Sequence, residues 1–285
     1  MVPSARRRWS ASRRRSPGAF VTLVGGIALA FLVVPILVVA LISFSDSRYL
    51  LFPPRDFSLR WYRAAFADES WRAAFVASCQ IAAAVTILAT SIGTLGAFAL
   101  VRGRMRWKSA LMAVALSPIV IPGIVLAVGS YFLFAQVGLL ETRVALIAAH
   151  TALALPVVLV SVVTSLQTVD PTLEQAARTL GASPREVALR VTLPLIRPGI
   201  LAGAVFAFVI SFDEPVVALF VAGTHLVTLP KRMWDGIQYE IDPTSAAVSV
   251  LLVCVSFAVA VAAQLSAARR ASSAAATAAP SPQDP

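Results

Sequence analysis

The sequence has little charge, few cysteines and few lysines for a chain of 285 residues. Charged residues make up 13% of it and apolar residues 58%, whereas a water-soluble domain carries about 25% charged residues. The two cysteines, Cys79 and Cys254, lie in or beside apolar runs, so the sequence predicts no disulfide framework and no metal site. No Ser/His/Asp or paired-aspartate arrangement stands out, and no catalytic residue is predicted. These scarcities exclude a soluble globular protein and argue against an intramembrane enzyme.

A phosphate-binding loop of the form G-x4-G-K-[S/T] is also missing. The only lysines, Lys108 and Lys231, follow Trp and Pro rather than Gly. The chain therefore cannot hold a nucleoside triphosphate in the manner of a P-loop protein. If ATP drives its work, another polypeptide hydrolyses that ATP.

Long apolar runs are what the sequence has in abundance. A helix that crosses a bilayer needs about 17–25 mostly apolar residues. The sequence predicts an all-α integral membrane protein with a six-span domain over residues 19–267. A basic segment, 1–18, precedes this domain, and a low-complexity tail, 268–285, follows it and is predicted to be disordered. The predicted spans are Ala19–Phe44, Ala74–Val101, Ala110–Val137, Val144–Leu166, Ile200–Ala222 and Ala246–Leu265.

The distribution of basic residues predicts the orientation. The N-terminal segment, the loops 102–109 and 167–197, and the C-terminal tail together hold 16 of the 24 lysines and arginines. By the positive-inside rule this side is cytoplasmic, with both termini inside. The net charge of +10 then follows from topology and does not indicate nucleic-acid binding. The first run is about twice as long as a signal-peptide core, so we predict an uncleaved span.

The polar segment "EQAARTLGASPREVALRVTLPLI" interrupts the apolar runs after the fourth predicted span. Asp170 is a predicted N-cap before Pro171, and Gly181 is predicted to end that helix in the left-handed conformation. Ser183 and Glu186 have the spacing of a capping box at the start of a second helix. The segment is therefore predicted to be a rigid helix–turn–helix.

Side-chain spacing adds two expectations about this hairpin. Glu174 with Arg178, and Glu186 with Arg190, are four residues apart, as in stabilising ion pairs. An apolar stripe is expected to pack inward while the charged face stays hydrated. The stripe consists of Leu173, Ala176, Ala177 and Leu180.

Three interpretations of the hairpin compete. A plain connecting loop would not need two N-caps and a capping box. A DNA-binding helix–turn–helix has the right outline, but the segment is nearly neutral and is held at a bilayer by apolar runs on both sides. A docking surface for a cytoplasmic partner explains the stiffness, because a rigid element can pass force to the spans.

The hairpin resembles the EAA loop of ABC-importer permeases. The pattern E-x-A-x4-G begins at Glu174, and Gln175 stands where the family usually has alanine. Val191 replaces the commoner isoleucine. By this resemblance the hairpin, about 170–197, contacts an ATPase. The residues that the resemblance assigns to this coupling are Glu174, Ala176, Ala177, Gly181, Val191, Leu193 and Pro194.

Further segments are similar to the spermidine/putrescine branch of that family. They are "FSLRWYRAAF", "AHTALALP", "SFDEPVVALF" and "TLPKRMWDGI". Permeases for opines, phosphonate-type solutes and ferric ion share much of this pattern, so these substrates stay open. The resemblance implies a type I ABC importer permease in a bacterial cytoplasmic membrane, surrounded by lipid, that carries a polyamine-like cation.

The resemblance also implies partners. These are a cytoplasmic ABC ATPase dimer, which would hold the ATP and Mg²⁺, a second homologous permease, and a soluble periplasmic or extracytoplasmic substrate-binding protein. No cofactor is expected on this chain. The alternative is an ion-coupled carrier working alone, which needs buried ionisable residues; only Asp213, Glu214 and His150 qualify.

Two adjacent acids are candidates for contact with the substrate. Asp213 and Glu214 lie inside the fifth predicted span, where a charge costs about 2.5–3.5 kcal/mol and so should face the bundle interior or water. Phe212 or Tyr131 could add cation–π contacts to a cationic substrate. The alternatives are a helix end nearer the surface than its place in the span suggests, or a pair with an arginine of the partner.

The remaining candidates are a histidine and the prolines. His150 in the fourth span is either a hydrogen-bonded packing residue or a pathway residue. Pro118 and Pro122 are expected to kink the third span, either to line the pathway or to aid packing. Pro194 and Pro198 are expected to break the chain before the fifth span.

Overall fold

The fold is taken from a computed structural model, which describes residues 19–240, 243–258 and 261. Within these residues the regular structure is helical, apart from one isolated antiparallel bridge between Ser45 and Phe57. The predicted segments 1–18 and 268–285 lie outside the described residues. The helices are α1 (Ala19–Ser43), α2 (Arg60–Ala67), α3 (Glu69–Val101), α4 (Lys108–Val120), α5 (Gly123–Gln136), α6 (Arg143–Gln167), α7 (Pro171–Thr179), α8 (Pro184–Glu186), α9 (Leu193–Phe212), α10 (Val216–Val221), α11 (Leu229–Asp235) and α12 (Thr244–Ala258), with π-helical segments at Val187–Thr192 and Gly236–Glu240.

Four helices are long and apolar enough to cross a membrane, and a bent pair makes a fifth if it counts as one span. The four are Phe20–Ser43, Glu69–Val101, Arg143–Gln167 and Pro184–Phe212. Three of them match the first, second and fourth predicted runs, and the last overlaps the fifth predicted run only over 200–212. The sixth predicted run is described only in part, as the shorter apolar helix α12 and Val261.

The third predicted run is the bent pair. Helices α4 and α5 meet at an angle of 106° across Ile121 and Pro122. Pro122 lacks an N–H and restricts the residue before it to extended backbone, and Ile121 is extended. Pro118 stays inside α4 without ending it. The sequence predicted a kink at each of the two prolines, and the structure has the interruption at Pro122.

The start of the fifth span differs from the prediction. Pro194 and Pro198 do not break the chain, because the helix runs without interruption from Pro184 to Phe212. The wider π-helical turn of Val187–Thr192 precedes Pro194 and leaves it near the start of α9. Pro198 lies inside α9 and does not end the helix.

The end of the fifth span also differs. The helix stops at Phe212, and α10 begins only at Val216. Asp213 and Glu214 therefore lie in a break between two helices, whereas the sequence predicted them inside the fifth span. Pro215 follows them directly and stands at the N-cap of α10.

The described residues divide into two compact units, 19–61 with 246–258 and 261, and 62–240 with 243–245. In the first unit most side chains of α1 are exposed, as suits a helix facing lipid. There the indole Nε1 of Trp61 donates to the carbonyl of Ser45 over 2.8 Å. In the second unit α3, α6 and α9 enclose one apolar core.

Small residues bring the helices of this core close together, as in other membrane bundles. A Cβ at Gly93 would lie 2.7 Å from Val158 Cγ1, and one at Gly199 would collide with the side chain of Ser165. Both glycines thus set the distance of their helix from α6.

We expect Gly199→Leu to lower the free energy of unfolding by about 1–3 kcal/mol, because the added side chain overpacks the α6–α9 contact. Thermal unfolding of the purified chain in detergent measures this loss. Gly129→Leu is the matched control, since nothing lies within 4 Å of a Cβ there. An equal loss in both variants would contradict the packing role of Gly199.

Candidate coupling hairpin and substrate pathway

The first half of the polar hairpin is α7, and its ends are capped as predicted. The Asp170 carboxylate accepts a 2.9 Å hydrogen bond from the Thr172 N–H. This backbone hydrogen bond holds the pKa of Asp170 below its usual value. At the other end Gly181 has φ +89°, and the Ala182 and Gly181 N–H groups donate to the carbonyls of Ala177 and Arg178. This pattern is a Schellman motif, which ends the helix at Gly181.

The second half begins with the predicted capping box. The Ser183 N–H donates to Glu186 Oε2 over 2.9 Å, and the Glu186 N–H donates to Ser183 Oγ over 3.3 Å. Arg190 Nη1 lies 4.0 Å from Glu186 Oε1, so the predicted ion pair is present. Both helix starts in the hairpin are therefore stabilised within the segment itself.

Glu174 does not pair with Arg178, and that prediction is wrong. Its carboxylate instead accepts a bifurcated hydrogen bond from the Arg102 Nε–H, with Nε 3.0 Å from Oε1 and 3.1 Å from Oε2. Thr192 Oγ1 donates to Glu174 Oε1 over 3.0 Å. The glutamate is only 8% exposed. Glu174 therefore faces the protein, although it belongs to the polar hairpin.

The apolar stripe of α7 does not pack inward, contrary to prediction. Leu180 is 89% exposed and Leu173 is 49% exposed, while Ala176 is exposed and Ala177 half-buried. The helix is turned so that Glu174 meets Arg102, and the opposite face is left to solvent. The remaining hairpin candidates, Val191, Leu193 and Pro194, are half-buried in the helix that follows.

The two acids at the α9–α10 break have different surroundings. Glu214 Oε1 accepts the N–H groups of Val216 and Val217 over 2.7 and 3.0 Å, so it caps α10. Asp213 is exposed, and its carboxylate has no hydrogen bond or ion pair to any residue that the structure describes. Asp213 is therefore the acid that is free to meet a ligand.

Aromatic rings lie directly beside this break. Phe212 stacks on Phe208 with centroids 5.7 Å apart and meets the edge of Phe75 at 6.1 Å. Tyr131 belongs to a different ring contact, with Phe132 at 5.6 Å on α5. Pro122, at the α4–α5 bend, is exposed. Phe212 is thus the predicted aromatic residue that adjoins Asp213.

His150 is buried in the core, with 1% of its surface exposed. Its Nδ1 lies 3.0 Å from Ser211 Oγ, and its Nε2 has no partner among the described residues. The contact joins α6 to the last turn of α9. This geometry favours the packing interpretation, because the ring is closed off from solvent.

Two residues of the hairpin cluster were not predicted. Arg102 is one of four basic residues in the 102–109 loop, and nothing in its spacing separates it from Arg104 or Arg106. Thr192 is one of several threonines near apolar runs. Only the fold brings both side chains to Glu174.

Apolar spans, a broken helix with a free carboxylate and a self-capped polar hairpin are the features expected of a membrane transport subunit. The chain belongs to the family described as binding-protein-dependent transport system inner membrane component, whose profile matches residues 89–272. It is therefore an inner-membrane permease of the ABC transporter type.

Named relatives cover most of the chain. It is 33% identical over 239 residues to the spermidine/putrescine transport system permease protein PotC of Haemophilus influenzae, covering 84% of this chain and 93% of PotC. It is 31% identical over 250 residues to the putrescine transport system permease protein PotI of Escherichia coli K12, covering 84% and 86%. A chain of a bacterial ABC transporter that imports alginate superposes with a TM-score of 0.67 at 15% identity, covering 87% of this chain and 95% of that one. This last similarity shows a shared fold.

Proposed function

We propose that this chain is the permease subunit of an ATP-driven importer for a polyamine-like organic cation of the spermidine or putrescine type. The observation that supports this most strongly is the identity to PotC and PotI along most of the chain. An exposed carboxylate beside a group of aromatic rings agrees with a cationic substrate.

The substrate contact proposed here is Asp213. An alkylammonium group is attracted by a carboxylate whose oxygens are free to accept its N–H groups, whereas Glu214 Oε1 already accepts the N–H groups of Val216 and Val217. Phe212 adjoins the acid, and ring faces attract cations. We include His150, Pro122 and Tyr131 in the pathway only as candidates, since no described contact links them to Asp213.

The hairpin 170–197 is proposed to be the cytoplasmic coupling element. Its exposed face carries Leu173 and Leu180, and Arg178 and Arg190 are exposed in the same hairpin. An apolar strip on a segment with exposed cations suits a cleft on an ATPase subunit that has an apolar floor and an acidic rim. The stiff Schellman turn and capping box let the element move as one body.

The proposed topology is the one predicted from charge. Six spans occupy 19–267, with the basic segment 1–18 and the tail 268–285 both in the cytoplasm. The proposed partners are an ABC ATPase dimer that holds ATP and Mg²⁺, a second homologous permease, lipid and a periplasmic binding protein. No cofactor is assigned to this chain.

The proposed cycle joins these parts. ATP binding closes the ATPase dimer and carries each hairpin with it. The attached helices rock, and the pathway changes from inward-open to outward-open. The binding protein then releases the cation toward Asp213, and hydrolysis returns the pathway to its starting state.

Reconstitution tests this function. We expect vesicles holding the permease pair, the ATPase and a loaded binding protein to take up radiolabelled putrescine or spermidine only when ATP is present on the ATPase side. Vesicles holding this chain alone should take up none. Steady uptake by the chain alone, indifferent to nucleotide, would instead identify a stand-alone carrier.

A further inference from the structure

The cluster around Glu174 connects more of the chain than one ion pair requires. Arg102 is the C-cap residue of α3, so its guanidinium is fixed at the end of a 33-residue helix. Besides holding Glu174, its Nη2 donates to the carbonyls of Leu166 and Val169, each over 3.3 Å. One side chain therefore ties the end of α3 to the end of α6 and to α7.

Thr192 adds a fourth attachment. It lies at the end of the π-helical turn that leads into α9, and it is buried. Its hydroxyl donates to the same oxygen, Glu174 Oε1, that Arg102 Nε contacts at 3.0 Å. π-Helical turns inside longer helices are frequent at functional sites. Through Arg102 and Thr192, the Glu174 carboxylate thus joins α7 to the ends of α3 and α6 and to the start of α9.

Electrostatic interactions make the contact of Glu174 with Arg102 and Thr192 strong. Glu174 is largely buried, and removing one partner from a buried, hydrogen-bonded ion pair leaves the other charge without compensation. The guanidinium is planar and holds several acceptors at fixed angles, which a lysine ammonium does not do. A displacement of α7 must therefore carry Arg102 with it or break several charge-assisted hydrogen bonds.

We propose that Arg102 is a positioning residue that fastens α7 to the ends of α3 and α6, so that movement of the hairpin reaches these spans through side chains as well as through the backbone. The inference rests on the proposed coupling role of the hairpin. It also changes the expected role of Glu174, which acts inside the permease and is not presented to the ATPase. The exposed stripe of α7 remains the docking face.

The test uses the complete transporter in vesicles, with Arg102→Gln, Glu174→Gln and the double variant. Three quantities are measured per folded permease: ATPase bound, ATP hydrolysed and putrescine taken up. We expect ATPase binding to stay at the wild-type level, because Leu173 and Leu180 are unchanged. Putrescine taken up per ATP should fall about tenfold in each single variant, the factor expected for one charge-assisted hydrogen bond. The double variant should fall no further, since the two residues act as one unit.

Arg104→Gln is the matched control. Arg104 lies two residues along the same loop, is exposed and has no partner among the described residues. It should keep the wild-type uptake per ATP. Arg102→Lys keeps the charge but cannot hold Glu174 and both carbonyls at once, and it should give an intermediate ratio. If Arg102→Gln reduces the amount of folded chain, the uptake per ATP of Arg102→Lys tests the proposal instead.

The outcomes separate this inference from the proposed function. A wild-type ratio in Arg102→Gln, or in Arg102→Lys where the first variant does not fold, overturns the positioning role. Loss of ATPase binding in Glu174→Gln also overturns it, because Glu174 would then serve docking. Uptake by the wild type that does not require the ATPase overturns the proposed function itself.

Discussion

Replacing Asp213 with asparagine is expected to lower putrescine uptake by roughly 10- to 100-fold, the loss that corresponds to a hydrogen bond with a charged partner. Asparagine keeps the size of the side chain and removes only the charge. The carboxylate is exposed at the α9–α10 break and has no partner among the described residues, so nothing else there compensates for the loss. Initial uptake rates in vesicles holding the complete transporter measure the effect.

Glu214→Gln is the control for this experiment. The amide oxygen of glutamine can accept the N–H groups of Val216 and Val217 as the carboxylate does, so α10 stays capped and uptake should change little. If the two variants exchange behaviour, with Asp213→Asn active and Glu214→Gln inactive, Asp213 is not the acid that meets the substrate.

Replacing Leu180 with glutamate should weaken binding of the ATPase by at least about tenfold, because burying a leucine in a cleft contributes roughly 1.5–3 kcal/mol. Leu180 is almost fully exposed at the C-terminal end of α7, so the change should leave the fold of the permease intact. Uptake should fall in proportion to the ATPase lost. Co-purification of the ATPase with tagged permease, together with vesicle uptake, checks both quantities.

Leu59→Glu provides the comparison. Leu59 is an exposed leucine in the segment that precedes α2, outside the hairpin. It receives the same change of charge, and ATPase binding should stay at the wild-type level. Equal binding in Leu180→Glu and wild type would show that the ATPase docks elsewhere than on the exposed face of α7.

Local sequence determined the ends of the hairpin helices. The Asp170 N-cap, the Gly181 turn and the Ser183 capping box depend on atoms within a few residues of each other, so their spacing predicted them correctly. The long apolar spans were predictable for a similar reason, since composition over about 20 residues decides whether a helix can sit in lipid.

Predictions from residue spacing were wrong where a side chain contacts a neighbouring helix instead of a residue close to it in the chain. The i,i+4 rule favoured Glu174 with Arg178, but the half-buried guanidinium of Arg102 at the end of α3 offers the carboxylate a bifurcated hydrogen bond from its Nε–H. Pro194 and Pro198 were expected to break the chain before the fifth span. The π-helical turn before Pro194 lets the helix continue instead.

By itself, the sequence determined that this protein is a helical membrane protein with a self-capped polar hairpin and no triphosphate-binding loop. Only the tertiary structure decided which face of α7 is free, that Glu174 belongs to a cluster with Arg102 and Thr192, and that Asp213 rather than Glu214 is unpaired. The physical reason is how far apart the interacting residues are along the chain. Caps and apolar spans depend on atoms close together in the chain, whereas Arg102 and Glu174 are 72 residues apart and meet only when the helices pack.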